Sequence, residues 1–533
     1  MGANPIVVTF AVIYFVIMFA IGWWTRKAAL SATDYMVAGR QVGPVVNGAA
    51  LASTYLSPAS FLGLPAFIFI IGYPFWWALI SIILGMPIAA LLTAAPLRKY
   101  APVSFTDYYC DRYDDQVGMR ILISIPVIFA GFLYVILSTI GTALFMMAIL
   151  KIPYVWSLII ASAVVLFYVY LGGMVATTWS NAFQGVMMAV AAVVAALAII
   201  THFGGLSELG NAIYQNNPKF WLPPHSQLGF SHPLMASWTG MVSVFFVWHY
   251  GFATMPYTVV RFFTAMDLKA ARRAIFWSVV FGGAMYWGLI IIGSAARVVL
   301  ETLHPLMQQL GAKNAVQLLA GIQKMYGTTA AAATDYSMIA TVEALGSPWL
   351  MGVLVAGGLS IAMSTTAGWL VVMNVILGRD WMTKIFKSKW AQENPVAVLR
   401  MWSIIVLVIC TLIAVKPPAL VLDLSGWAFV VIIATIGPPL ILGIWWDRAT
   451  RTATYASVII FLPLTLYSWL YAKNVLKSPH WFFLNKAFGW KIATFHQCYW
   501  IFVSFIVFII ISLLTKPPKP EIIQKYSIDL RRE

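Results

Sequence analysis

Charge is what this chain has least of. Only 9% of its 533 residues are Asp, Glu, Lys or Arg, against 61% that are hydrophobic. A soluble fold of this size needs far more charge to cover its surface, so a soluble globular protein is excluded. Cysteine is scarce too: Cys110, Cys410 and Cys498 stand in no metal-like spacing, which argues against a disulfide framework or a thiolate metal centre. Of seven histidines only His249 falls deep inside an apolar run. A haem or metal redox subunit needs several intramembrane His, Cys or carboxylate ligands. Long polar stretches are missing as well. No soluble domain of independent size is left over, and the 516–533 tail is too short for the signalling domain of a transporter-derived sensor.

What is present is a succession of apolar runs long enough to cross a bilayer, which takes roughly 20 residues. Thirteen are predicted, at 5–24, 43–71, 73–98, 121–150, 154–172, 179–202, 236–260, 274–300, 347–377, 401–415, 419–446, 453–473 and 492–515. The first, Ile6–Trp24, has no basic residue before it and Arg26 and Lys27 after it. A signal peptide carries its charges on the other side, so this is expected to be a retained helix with its N-terminus outside. Gly2 lacks the Ser or Thr at position 6 that myristoylation requires. The alternate segments 25–42, 98–120, 173–178, 261–273, 378–400, 447–452 and 516–533 hold 23 of the 33 Lys and Arg. Basic residues favour the cytoplasmic side, which predicts an N-out, C-in topology. The net charge of +16 is thereby explained without nucleic acid. The loops 203–235 and 301–346 fall outside, with short helices expected at Leu206–Tyr214 and Ala315–Met325. Ser104, three residues before Asp107, marks a helix start, and the basic tail 516–533 reads as flexible.

Two of the runs are interrupted. In 43–71, Ser53, Thr54, Tyr55, Ser57 and Ser60 crowd around Pro58. Proline lacks an N–H and clashes with the preceding turn, and it pushes residue 57 away from helical angles. Carbonyls near Ser53–Leu56 leave the helix ladder and must find another partner in hydrocarbon. In 236–260, Gly251 and Pro256 are the breakers, flanked by His249, Tyr250, Thr254 and Tyr257. Either segment alone reads equally as a proline kink packed through small residues. Together they stand at the heads of two successive sets of helices, as in transporters built from inverted repeats. On this reading 43–202 is the first repeat of five helices and 203–415 the second. Residues 1–42 are a peripheral helix and loop, 416–515 three C-terminal peripheral helices, and 516–533 a cytoplasmic tail. A channel is the rival class, and paired broken helices fit alternating access better.

Ser360, Ser364, Thr365 and Thr366 form a hydroxyl cluster in 347–377. Hard cations take oxygen ligands, and two hydroxyls with three freed carbonyls supply five. Hydroxyls in a spanning helix also commonly bond their own i−4 carbonyls. For a solute, the amides around Ala59–Phe61 can act as a helix N-terminus toward a carboxylate. Ser57, Ser60, Ser138, Thr139, Thr142, His249, Tyr250, Tyr257 and Trp427 are candidates to line the cavity or simply to pack. No Lys or Arg falls at mid-membrane; Arg297 lies near an outer end, where it can snorkel.

Several stretches resemble the sodium/solute symporter family, and within it the bacterial cation/acetate branch. They are DYMVAGRQVG at 34–43, SPASFLGLPAFIFIIGY at 57–73, APLRKY at 95–100, GGMVATTW at 172–179, RFFTAMDLKAARRA at 261–274 and IAMSTTAG at 361–368. The resemblance runs from about residue 33 to 452 and implies an all-α LeuT-type fold of five plus five inverted helices in the cell (inner) membrane. It implies Na⁺ as coupling ion, with H⁺ as the alternative and no organic cofactor. It also implies a small organic solute, a short monocarboxylate such as acetate, an amino acid, sugar or vitamin being the alternatives. The family's sodium site falls on the carbonyls of Ser53, Leu56 and Ile361 and the hydroxyls of Ser364 and Thr365. Solute is implied between the two broken helices and helices 121–150 and 274–300. This chain departs from the pattern at Thr54, where many acetate-branch members carry Asp, at Asn181, where many family members carry Asp, and at Tyr257, where the acetate branch carries His.

Overall fold

The computed structural model describes residues 4–222, 238–326, 333–416, 421–472 and 492–531. Every one of the thirteen predicted runs is helical. They are α1 (Pro5–Thr25), the broken pair α2 (Pro44–Tyr55) and α3 (Leu64–Ile71), α4 (Trp76–Ala89), α5 (Gly118–Leu150) and α6 (Tyr154–His202). Then come the second broken pair α7 (Trp238–Thr254) and α8 (Pro256–Thr264), α9 (Leu268–Leu303), α10 (Pro348–Asn374), α11 (Pro395–Ala414), α12 (Val421–Trp445), α13 (Arg451–Ala472) and α14 (Ile492–Leu514). Among the described residues eight helices are long and apolar enough to cross a membrane singly, and α2 with the helix beyond it, bent by 65°, forms a ninth span.

α6 contains two of the predicted runs. The expected loop 173–178 does not exist: the helix continues through it, divided only at Gly173, whose φ of 49° no side chain adopts without strain. The Tyr35 ring lies against that glycine where a Cβ would be.

The packing has the cross-wise pattern of an inverted repeat. α2 lies along α9, while α7 lies along α4, so each broken helix rests on the helix that follows the other. α5 and α10, third in each set, pack on one another. α6 packs on α10, and α12 does the same on α5. This corrects the predicted repeat boundary. Among the described residues the interval 203–415 holds four spanning helices, counting the broken pair once, and the second set closes only with α12. That helix looked peripheral because apolar periodicity does not separate a helix buried in protein from one facing lipid; 94% of its apolar window is buried. Two C-terminal helices, α13 and α14, then remain outside the core. Small residues set the spacing where lipid supplies no hydrophobic drive between helices. A Cβ on Gly185 of α6 would stand 2.3 Å from the Ala49 carbonyl oxygen of α2.

The basic segments meet at one end of the bundle. Arg40 donates to the Ala101 carbonyl 2.5 Å away, Arg98 to Ala265 at 2.6 Å, and Arg112 to Gly443 at 2.8 Å. Arg400 donates to Tyr170 beside the α6 kink, and Arg451 pairs with Asp115. Asp107 reaches back to the Ser104 amide at 2.9 Å, which starts the predicted short helix. The tail is not loose: Ser527 donates to the Ile444 carbonyl, Lys99 donates to Asp529, and Arg531 pairs with Asp447. At the opposite end the predicted short helices are present as Leu206–Asn216 and Ala315–Tyr326. Glu301, at the end of α9, accepts from Asn216 at 2.8 Å and from the Ala315 amide at 3.0 Å, tying these two loops together. The side chain of Cys498 lies outside the described residues.

Candidate functional site

α2 ends where Leu56 turns to extended backbone, φ −73° and ψ 109°, two residues before Pro58. Pro58 sits in a notch of α5, where a Cβ on Gly141 would come within 2.3 Å of its ring. The carbonyls freed by this break face α10, and the hydroxyls of α10 take them. Ser364 Oγ donates to the Ser53 carbonyl at 2.7 Å and lies 3.0 Å from the Ile361 carbonyl. Thr365 Oγ1 lies 3.0 Å from the Leu56 carbonyl, 3.3 Å from that of Thr54 and 3.3 Å from that of Ile361. The five oxygens carried over from the sequence resemblance therefore form one cluster, buried between two helices. Two hydroxyl protons fill it; rotating those O–H bonds outward turns five lone pairs inward, the ligand set a hard monovalent cation takes. Ser360 and Thr366 do otherwise, bonding to their own i−4 carbonyls.

The second break is built differently. α7 ends at Thr254, Met255 is extended with φ −65° and ψ 123°, and Pro256 opens α8. Gly251 is not part of this break: it is helical, and its missing side chain admits the Phe429 ring of α12, 2.2 Å from where a Cβ would stand. The freed Phe252 carbonyl is taken by Thr258 of the same segment at 3.0 Å. This break closes on itself, whereas the first depends on α10.

Beside the second break lies a cluster of packed aromatic rings, the aromatic box. Trp369 of α10 stacks on Tyr134 of α5 and on Tyr257 of α8, with centroids 5.4 and 4.9 Å apart, while Tyr134 and Tyr257 are tilted at 5.4 Å and Phe429 approaches Tyr134 at 6.1 Å. The Tyr257 hydroxyl, the Trp369 indole nitrogen and the Ser138 hydroxyl are buried here without hydrogen-bond partners. A buried donor left unpaired is costly, so these three are candidates to bond a polar guest.

The other expected residues divide clearly. Ser60 lies 3.4 Å from the Tyr286 hydroxyl, and Phe61 tilts against Phe145. The Ser60 and Phe61 amides are already held by the Ser57 carbonyl at 2.8 and 3.2 Å, so among Ala59–Phe61 they are not free for a carboxylate. Thr142 and Thr139 bond back to their own helix. His249 is a packing residue: its Nδ1 is 2.9 Å from the Phe245 carbonyl and its ring stacks on Phe245 at 3.7 Å. Tyr250 faces Phe505 of α14, away from the box. Trp427 is buried in α12. Arg297 lies over the Phe69 ring, near the end of α9 that carries Glu301.

One functional residue is missing from the sequence reading. Arg261, placed there in a basic loop, lies on α8, all of whose residues are buried, and is itself only 1% exposed. Its Nε donates to Thr54 Oγ1 at 3.2 Å and one terminal nitrogen donates to Thr178 Oγ1 at 2.9 Å. Asn181 donates to the same Thr54 oxygen and to the Ser364 carbonyl, each at 3.1 Å. The statement that the core holds no cation is thus corrected. The available signal was Pro256, a preferred first helical residue, which extends the helix past 260 and sets Arg261 one turn below Tyr257.

An all-helical bundle with crossed broken helices and a buried oxygen cluster at one break is a LeuT-type secondary transporter. A profile of the Sodium:solute symporter family matches residues 35–460, and the chain belongs to that family. It is 24% identical over 517 residues to the osmoregulated proline transporter OpuE of Bacillus subtilis strain 168, spanning 95% of this chain and 94% of the relative. Its fold is similar to that of a Na⁺-coupled sialic acid symporter solved in a substrate-bound outward-open state, with a TM-score of 0.74, 20% identity, and coverage of 97% and 99% of the two chains. This is a multi-pass membrane transporter of the sodium-coupled solute symport class, not an enzyme.

Proposed function

We propose that the chain carries a small carboxylate-bearing solute into the cell together with Na⁺, by alternating access. The observation that carries this reading is the five-oxygen cluster between α2 and α10. Na⁺ at Ser53, Leu56, Ile361, Ser364 and Thr365 braces the two helices across the break, and its loss on the basic side frees them to separate. That side is cytoplasmic by the positive-inside rule. The solute sits in the aromatic box, with the Tyr257, Trp369 and Ser138 donors supplying the hydrogen bonds.

Short monocarboxylates such as acetate are the first substrates to test, on the sequence resemblance above. A proline-like amino acid is the second reading, favoured by the Tyr134, Tyr257 and Trp369 rings, whose faces suit a compact ring or a cationic amine, and by the likeness to a proline transporter. The test is uptake of labelled acetate, longer monocarboxylates and proline into proteoliposomes, with and without an inward Na⁺ gradient. Accumulation of one of them that needs the gradient is expected. Uptake indifferent to Na⁺, and unchanged in Ser364→Ala and Thr365→Ala, overturns the ion site; uptake driven by acid instead makes H⁺ the coupling ion.

A further inference from the structure

Arg261 is a permanent positive charge buried in protein. Its partners are neutral: the Thr54 and Thr178 hydroxyls and, at 3.6 Å, the Met174 sulfur. None of the ion pairs among the described residues includes it. One of its terminal nitrogens has no hydrogen-bond partner at all, and neither does the side-chain oxygen of Asn181, which shares Thr54 with it. Met174 and Val260, the neighbours of the guanidinium in space and in sequence, also line a small cavity, whose walls are apolar and do not include Arg261 itself. A buried charge without a counter-charge is strongly disfavoured, whereas a hydrogen-bonded pair is tolerated. A water in the gap satisfies the nitrogen and leaves the charge standing. A carboxylate at position 181 would neutralise it, but Asn181 has none.

We infer that Arg261, flanked by Thr54, Thr178 and Asn181, is the binding site for a small monovalent anion. The free nitrogen donates to it, and the anion supplies the charge that Asn181 lacks. The anion is a free halide or, resting on the solute placement proposed above, the carboxylate of the transported solute, since Arg261 lies one helical turn from Tyr257 on the same face of α8. Because Thr54 belongs to the break that presents the Ser53 and Leu56 carbonyls, an occupied anion site also offsets the repulsion between the guanidinium and a cation there.

The experiment is the thermal unfolding midpoint of the purified full-length transporter in Na⁺-free choline salts at constant ionic strength. Chloride, bromide, acetate and the bulky anion gluconate are compared, with proline added to the gluconate sample. Omitting Na⁺ keeps a failure of this site distinct from a failure of sodium coupling. A midpoint several degrees higher in chloride and bromide than in gluconate, absent in both Asn181→Asp and Arg261→Gln, is expected for a free halide. The same pattern for acetate or proline alone assigns the anion to the solute. Asn181→Asp is the informative variant because it brings the missing charge and so keeps the fold. Equal midpoints in all media, or halide shifts that persist undiminished in Asn181→Asp, overturn the proposal.

Discussion

The Thr365 hydroxyl lies 3.0 Å from the Leu56 carbonyl oxygen across 309 positions of sequence. One helix has lost its hydrogen-bond ladder at a proline, and another presents a side chain to the exposed oxygen. The contact is specific to this pair of segments, because Thr366, the next hydroxyl along α10, bonds to its own helix instead. Removing one ligand oxygen is expected to weaken the cation by about 1.4 kcal/mol, about tenfold. Ser364→Ala and Thr365→Ala should each raise the Na⁺ concentration for half-maximal uptake by that factor, and Thr365→Ser should recover most of it. Initial uptake rates in proteoliposomes against Na⁺ concentration check this. An unaltered sodium dependence in both alanine variants would remove the site from this place.

What could be read in advance follows from how local each signal is. Pro58 breaks a helix through its own ring, and Ser364 and Thr365 announce oxygen chemistry by their side chains, so both halves of the cluster were legible, and the family resemblance joined them. Arg261 was not, because hydropathy ends a span at the first charge, and nothing in the residues around 261 shows that protein rather than water surrounds it. The box of Tyr134, Tyr257 and Trp369 was hidden for the opposite reason: in a chain that is 15% aromatic, three rings converging from three helices look like any others. The tail 516–533 looked loose by composition, yet Arg531 and Ser527 both engage Asp447, a contact between segments some 80 residues apart that no local pattern records.

Tyr257 and His249 should part company under mutation. The Tyr257 hydroxyl is buried beside Tyr134 with no hydrogen bond of normal geometry, so on the proposed solute placement Tyr257→Phe costs the fold little and removes one contact to the solute. Its unfolding midpoint should match the parent while the KM for solute rises about three- to tenfold, the range of one hydrogen bond. His249→Phe keeps the stacking on Phe245 and should leave KM within about twofold. Side-by-side uptake and unfolding measurements test both, and a solute defect in His249→Phe with none in Tyr257→Phe would place the solute elsewhere.

Gly185 and Gly283 offer a matched pair for stability. A methyl on Gly185 meets the backbone oxygen of Ala49 at 2.3 Å, which cannot swing aside, whereas Gly283 has nothing within 4 Å. Gly185→Ala should destabilise by about 1–3 kcal/mol through overpacking. Gly283→Ala should be neutral or stabilising by up to about 1 kcal/mol, since alanine is the better helix former. Unfolding midpoints in detergent or lipid nanodiscs distinguish them.

His304 gives the end of α9 a pH dependence. Burial at the end of α9 pushes its imidazole down to about 4. The folded chain therefore holds the neutral ring while the unfolded chain begins to take up a proton near pH 6.5. This contribution is whole above pH 6.5, declines as the pH falls toward 4, and does not decline further below that. His304→Gln should flatten that part of the profile of unfolding midpoint against pH. If the parent and variant profiles run parallel between pH 6.5 and 4, His304 is not the group responsible.

Asp380 closes the basic end. Fully buried, it accepts from Ser104 at 2.5 Å, Thr106 at 2.6 Å and Arg120 at 2.8 Å, and Arg379 reaches it at 2.9 Å. Asp107 holds the same two arginines at 2.9 Å. The helical extension beyond α10 is thereby fastened to the start of α5, so the helix that carries Ser364 and Thr365 is anchored at its far end. Two arginines balance two carboxylates, and removing one carboxylate leaves a buried cation unmatched. Breaking a buried pair from one side costs roughly 3–5 kcal/mol, whereas removing both partners costs much less. Asp380→Asn should therefore lower the unfolding midpoint sharply, and Asp380→Asn combined with Arg120→Gln should recover a substantial part of the loss. A double variant as unstable as the sum of the two single ones would mean that the charges are not coupled, and that the hydroxyls of Ser104 and Thr106 alone hold α10 in place.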